Sequence, residues 1–476
     1  NYECFLPWQH GRAHGNQALD LSTDHNKTSL GTSIAYGLPG VGAGYMYLLM
    51  SLYVMKFSTD VLLIAPAVMG LIFSISRIWD AISDPIAGYL SDRTTFKFGR
   101  RRTWMLLSFI PISFGFYAVF SPPESLQGQS LDLWMMVAIL GFYSSITLFN
   151  VPHMALGAEL SGDYHERTRL FGVRHIGFTL GSILSLVATS LLISEESDPN
   201  GNVRNLAANL ALIAIAAMSL MIFFAVSRLK ENPSFQNRVN KNPFKAFRDI
   251  WVNPHAKVLI VVLFIENLGG ATIAVLTLYV TQYIVEAPEW APVIILAYLL
   301  PSALSVPLWI PLSQKLGKIR LWVFSLVFTG MAFGSIFIIT FLDSVTTRLA
   351  VMFIGAALGG MAAGCGGAIG PSVKGDVIDY DEYLTGERKE GSYFAALNFV
   401  FKSASGIMLL VTGFVLQFSG FVPNQPQTIQ VKIALLSLYG LVPLVFYSLG
   451  AYLLHTRFKF GEKEHAAMKK EMAENT

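Results

Sequence analysis

The chain has 476 residues, 53% of them hydrophobic and only 14% charged, with a mean hydropathy of +0.50 and a net charge of +3. Soluble domains carry roughly 25% charged residues, so a water-soluble globular protein is excluded. The small positive balance sits in short stretches between apolar runs and excludes nucleic-acid binding. The two cysteines, Cys4 and Cys365, lie far apart and make no disulfide or metal-ligand pattern.

Residues 1–30 are polar and contain no apolar signal segment. A membrane helix needs ~20 apolar residues. Six candidates follow at 31–55, 62–91, 104–121, 131–158, 170–193 and 205–228. A polar, basic linker occupies 229–255, and six more candidates lie at 257–284, 290–312, 320–342, 348–374, 392–419 and 430–455. A polar tail, 456–476, reads as a solvated helix with no chemistry of its own. The fold class expected is an all-α integral membrane protein. Its twelve spans form two six-helix bundles, 31–228 and 256–455.

Lysine and arginine set the expected orientation. Arg93, Lys97, Arg100, Arg101 and Arg102 follow span 2, and Arg167 and Arg169 follow span 4. Lys230, Arg238, Lys241, Lys245 and Arg248 lie in the linker, and Lys315, Lys318 and Arg320 follow span 8. The alternate loops are poor in basic residues: 122–130 has none and 194–204 only Arg204. The excess of basic residues on one side predicts that the even-numbered loops, residues 1–30 and the tail are cytoplasmic. There is also an internal repeat. PIAGYLSDRTTFKFGRRR at 85–102 and PLWIPLSQKLGKIR at 307–320 both read helix end, Leu-Ser, polar pair, glycine, basic cluster. Each follows the second span of its half, as parallel repeats of a two-bundle transporter predict, with the solute site between the bundles.

Charges within spans are costly, roughly 2.5–3.5 kcal/mol each at midplane, and point to function. Span 2 places Arg77, Asp80 and Asp84 on one helix face by spacings of three and four. Two carboxylates one turn apart repel unless a cation or proton lies between them, and oxygen donors suit a hard cation. The alternative is a structural salt bridge from Arg77 to one aspartate. In span 4, Thr147 and Asn150 precede Pro152, which loosens the helix and frees a carbonyl one turn back. In span 7, Glu266 with Asn267 lines a cavity or pairs locally. In span 11, Lys402 lies deep between apolar runs, where it faces the cavity or snorkels. Beyond span 10, Asp376, Asp379 and Tyr380 form either a solvated helix end or a salt-bridge latch with Arg167. His153 and His165 are each isolated and read as structural.

With DAISDP at 80–85, GRRR at 99–102 and GDVIDYDEY at 375–383, the chain resembles the glycoside–pentoside–hexuronide:cation symporter family, the melibiose permease-like branch of the major facilitator superfamily. The similarity runs over nearly all of 31–455. It implies a cation site, for sodium or a proton, at Asp80, Asp84, Ser83 and Thr147, with the two carboxylates as the metal ligands. Ser83 stands where the family has asparagine. The resemblance also implies solute-binding roles for Lys402 and, with one residue of slippage, Arg174. A cytoplasmic gate follows at Arg167, Asp376, Asp379 and Arg388. The sugar-binding positions depart. Gly44 and Asn150 stand for two aspartates, Met154 and a position near Gly367 for two tryptophans. Asn150, Gly44, Met154 and Glu266 are therefore taken as lining a rewritten solute site.

The function expected is symport of a small organic solute, a sugar, glycoside or uronate, driven by sodium or protons in the inner (plasma) membrane. The alternatives are a lysolipid cargo and a transport-inactive sensor or scaffold. No nucleophile–base constellation, metal cluster or phosphate loop suggests an enzyme. Beyond the coupling ion no cofactor is expected. The partners are the solute, the cation and the lipid bilayer, and the chain is expected to act as a monomer.

Overall fold

The computed structural model describes residues 29–94, 96, 98–160, 164–198, 200–231, 250–385 and 390–474. Among the described residues the regular structure is helical throughout. Span 1 runs through Leu30–Gly37, Pro39–Leu52 and Val54–Lys56 and ends in a π-helical turn, Phe57–Val61. Spans 2 to 6 are Pro66–Arg93, Arg100–Phe120, Gln129–Glu159, Tyr164–Ser197 and Val203–Arg228. Span 7 combines Pro254–Gly270, Ile273–Val280 and a second π turn, Thr281–Val285. Span 8 combines Ala291–Leu304 with Val306–Leu316, and span 9 combines Lys318–Ser335 with Ile336–Phe341. Span 10 is Val345–Thr385, span 11 Glu390–Phe418, and span 12 runs from Ile429 to Arg457.

Nine of these helices are long and apolar enough to cross a bilayer, and two bent pairs, in spans 1 and 8, bring the number among described residues to eleven. The twelfth is Pro66–Arg93, 28 residues long. Arg77, Asp80 and Asp84 lower the mean hydropathy of its apolar stretch below that of the other spans.

The repeated loops now have a physical reason. Gly99 has φ +101° and Gly317 φ +85°, a region open to glycine and costly for residues with a Cβ. Each turns the chain directly into a basic helix start, at Arg100 and Lys318. In the first half the turn is fastened further. Glu231 accepts the backbone N–H groups of Arg100 (2.9 Å) and Arg102 (2.7 Å), placing a carboxylate at the positive end of a helix. Glu159 receives the guanidinium groups of Arg100 (2.7 Å) and Arg101 (3.1 Å).

Glycine also governs how spans approach. An ideal Cβ on Gly413 of span 11 would fall 2.4 Å from the Pro66 carbonyl oxygen and 2.9 Å from Gly70 Cα of span 2. Small residues at such seams let membrane helices touch backbone to backbone, and spans 2 and 11 join opposite halves of the chain. The tail is a helix, Glu462–Glu474, but it is not solvated on all sides. Met468 is buried, and the Phe460 ring just before the helix stacks on His255 at 4.9 Å.

Candidate cation and solute site

The close seam between spans 2 and 11 carries Lys402 onto the aspartate pair. Its Nζ lies 2.9 Å from Asp80 Oδ2 and 2.5 Å from Asp84 Oδ2. From span 4, Thr147 Oγ1 lies 2.8 Å from Asp80 Oδ1 and 3.1 Å from Asp84 Oδ1. A hydroxyl has one hydrogen, so it donates to one carboxylate at a time and sits as an oxygen contact on the other. Two carboxylates and one ammonium sum to one negative charge. The cluster is graded in exposure: the side chain of Asp80 is 1% exposed, Lys402 18% and Asp84 28%. The Asp84 side is therefore the one that solvent or an ion reaches.

Lys402 thus pairs with both carboxylates rather than snorkelling. Arg77 takes no part. Its guanidinium lies 4.5 Å over the Tyr143 ring, a cation–π contact, and among the described residues it makes no ion pair. Ser83 shares the helix with the aspartates, but its hydroxyl donates to the Asp80 backbone carbonyl at 3.2 Å rather than pointing at a carboxylate.

A second polar chain starts one turn further along span 4. Asn150 Nδ2 donates to the Tyr47 hydroxyl at 3.1 Å, and Asn150 Oδ1 accepts from Arg174 Nη2 at 3.1 Å. Spans 1, 4 and 5 meet there. Arg174 Nε is buried and has no hydrogen-bond partner among the described residues. Met154, the next turn of span 4, is 47% exposed. Gly44 stands apart from this chain: a Cβ there would lie 2.0 Å from the Phe178 carbonyl oxygen, so its missing side chain serves the span 1–span 5 contact.

In the other half, Glu266 Oε2 and Trp322 Nε1 are buried and have no hydrogen-bond partner among the described residues. A Cβ on Gly366 would lie 3.7 Å from Glu266 Oε1 and 3.7 Å from Trp322 Nε1, so both polar groups flank a glycine strip. Asn267 turns back to its own helix, donating to the Leu263 carbonyl at 2.6 Å. His153 is fully buried, with Nε2 2.9 Å from the Tyr36 carbonyl oxygen and its ring against that of Tyr36.

Of the four gate positions, Asp376 meets Lys318 Nζ at 2.7 Å and Asp379 meets His465 Nε2 at 3.1 Å. Both contacts lie within the second half and its tail. Arg388 and the side chains of Arg167 and His165 lie outside the described residues.

The MFS/sugar transport protein family model matches residues 35–462. The chain belongs to that family. Its place among glycoside–pentoside–hexuronide:cation symporters is borne out, and the family is one of membrane transporters, not enzymes. The chain is 27% identical over 455 residues to the uncharacterized symporter YnaJ of Bacillus subtilis, covering 95% of this chain and 96% of that one. It is 26% identical over 426 residues to the isoprimeverose transporter of Lactiplantibacillus pentosus, covering 88% and 87%. Among solved structures, a D-xylose–proton symporter superposes with a TM-score of 0.63 at 13% identity, over 90% of this chain and 97% of that one. This last likeness concerns the major facilitator fold alone.

Sequence reasoning missed Tyr47, which an apolar span hides, and the Arg77–Tyr143 pair. It also missed a polar cluster at Lys56, Asp60 and Glu196. The signal for that cluster is the i, i+4 spacing of Lys56 and Asp60, which lie between the assigned spans 31–55 and 62–91.

Proposed function

We propose that the transporter couples a monovalent cation to the uptake of a small hydroxylated solute, a sugar, glycoside or uronate, by alternating access. The observation that carries this reading is the cluster of Asp80, Asp84, Thr147 and Lys402, drawn from spans 2, 4 and 11 and so from both halves of the chain. Carboxylate and hydroxyl oxygens are the donors a hard cation takes. Lys402 holds the place between the carboxylates that such an ion needs. Cation binding therefore releases the ammonium, and the released ammonium faces the cavity with Asn150 and Arg174. Two cationic groups and an amide suit hydroxyls or a carboxylate on the solute. Glu266 and Trp322 add unpartnered polar groups from the opposite half. Cation and solute then raise each other's affinity by one common factor, because binding linkage is reciprocal.

The isoprimeverose transporter among the relatives supports a sugar-class cargo. The reading includes a monomer in the inner membrane, with residues 1–30 and the tail in the cytoplasm. The same site holds a proton in place of sodium if protonation of Asp84 releases Lys402.

The experiment is ligand stabilisation of the purified protein by sugars, uronates and lysolipids, against sodium concentration and separately against pH. Wild type is expected to respond to a sugar or uronate, more strongly as the cation rises. Asp80→Asn and Asp84→Asn are expected to fold and insert but lose that cation dependence. Retained dependence in either variant removes that aspartate from coupling. A response to lysolipid alone overturns the sugar-class cargo.

A further inference from the structure

A polar cluster lies at the end of the molecule where span 1 turns into span 2. Lys56 is 1% exposed and Asp60 4% exposed. Both belong to the last turns of span 1, where Phe57–Val61 is wound as a π turn. Lys56 Nζ lies 2.5 Å from both carboxylate oxygens of Glu196, at the end of span 5, and 3.6 Å from Asp60 Oδ2. All three charges belong to the first half of the chain.

The second half reaches them with neutral groups. The Tyr283 hydroxyl donates to Asp60 Oδ2 at 2.6 Å. The Tyr279 hydroxyl lies 2.8 Å from Thr59 Oγ1, which itself donates to Asp60 Oδ1 at 2.7 Å. Asn424 Nδ2 donates to the Asp60 backbone carbonyl at 2.7 Å, and Asn424 N–H donates to the Tyr283 hydroxyl at 3.2 Å. Asn424 has φ +59°, a conformation asparagine tolerates better than most side chains. Tyr283 belongs to the second π turn, Thr281–Val285. Beyond the cluster lies a cavity of about 560 Å³. Its walls include Lys56, Glu196, Tyr283 and Asn424.

This division of labour matters. Charge pairs separated across an interface leave buried, unpaired ions when it opens. Among the described residues, Lys56 pairs with Asp60 and Glu196 within the first half, Glu286 and Lys432 on the cavity wall pair within the second, and the polar contacts that cross at this cluster are hydrogen bonds. Water replaces those bonds as the halves part, so each contributes a modest net amount. Such a contact holds firmly when dry and opens without stranding a charge.

We propose that Lys56, Asp60 and Glu196, met by Tyr279, Tyr283 and Asn424, form the outer gate of the transporter, closed here and parted when solute enters. This rests on the alternating-access reading and on the orientation given with it.

The test measures a distance and needs no solute. Spin labels are placed at Ser194→Cys and Gln430→Cys, on opposite sides of the cluster, with Cys4 and Cys365 replaced by serine, in lipid nanodiscs. Wild type is expected to populate mainly the short distance. Tyr283→Phe and Asn424→Ala each remove bonds that cross the gate. Tyr283→Phe loses a hydrogen bond to a carboxylate and is expected to shift the ratio of long to short distances by about tenfold with the melting temperature unchanged, whereas Asn424→Ala loses one to a backbone carbonyl and is expected to shift it by about two- to tenfold. Asp60→Asn is expected to act the same way if it folds. Wild-type distances in both Tyr283→Phe and Asn424→Ala overturn the gate, as does a lowered melting temperature with no long-distance population. A failure of cation coupling is read separately, because Asp80→Asn and Asp84→Asn report it without any label at this end.

Discussion

At the scale of single residues, Lys402 decides what a cation meets. An ammonium already bonded to two carboxylates competes with any ion for the same oxygens. Lys402→Met is therefore expected to tighten sodium binding, by ten- to a hundredfold if hydrogen bonds to charged groups contribute ~1.5–3 kcal/mol. Sodium-driven solute accumulation should be lost, since the group released by the ion is gone. Isothermal titration with sodium at fixed pH, beside uptake in proteoliposomes, checks both. Weaker sodium binding in the variant would show that the lysine assists the ion rather than competing with it. Much of this cluster was legible beforehand. Asp80 and Asp84 declared themselves by spacing, and Lys402 by its depth in an apolar run. Arg77 was not legible, because spacing places a residue on a face but does not choose between a carboxylate and the Tyr143 ring. Gly44 was read as a vacated binding position, whereas the Phe178 carbonyl explains its lack of a side chain.

At the scale of elements, the seam between spans 2 and 11 sets the register of the cation cluster. A side chain at Gly413 meets backbone atoms of Pro66 and Gly70, which cannot rotate away. Gly413→Val is expected to destabilise by ~1–3 kcal/mol, the usual cost of overpacking. It should also lower uptake at least tenfold by drawing Lys402 off the aspartates. Gly141→Ala is the control, since a Cβ there meets nothing within 4 Å. Thermal unfolding and uptake of the two variants, side by side, check the seam. Equal behaviour would place the contact elsewhere. Helix positions were legible from apolar run length, with span 2 recognisable despite its charges. The bends in spans 1 and 8, of 45° and 48°, were not. Nor were the π turns ending spans 1 and 7, because hydropathy carries no information about a one-residue slip in hydrogen bonding. The tail was legible as a helix, but not its packing through Met468 and Phe460.

At the scale of the whole molecule, the orientation follows from where basic residues gather. Cysteines introduced at Ser125 and Ser197 are expected to react with an impermeant maleimide added outside intact cells, and cysteines at Lys97 and Asn240 to stay unlabelled. The reverse pattern would invert the molecule and turn the proposed outer gate into an inner one. The net charge of the cation cluster makes the transport cycle sensitive to the membrane voltage. Asp80, Asp84 and Lys402 together carry one negative charge, and a bound monovalent cation brings the total to zero. With a neutral solute the loaded cluster would then carry no charge of its own, beside the unchanged charges of Arg77 and Arg174, while the empty cluster moves one negative charge through whatever part of the field the site spans. A full crossing is worth ~2.3 kcal/mol per 100 mV. An interior-negative voltage would therefore repel the vacant cluster toward the outside, a force that the bound cation removes from the step that brings the solute in.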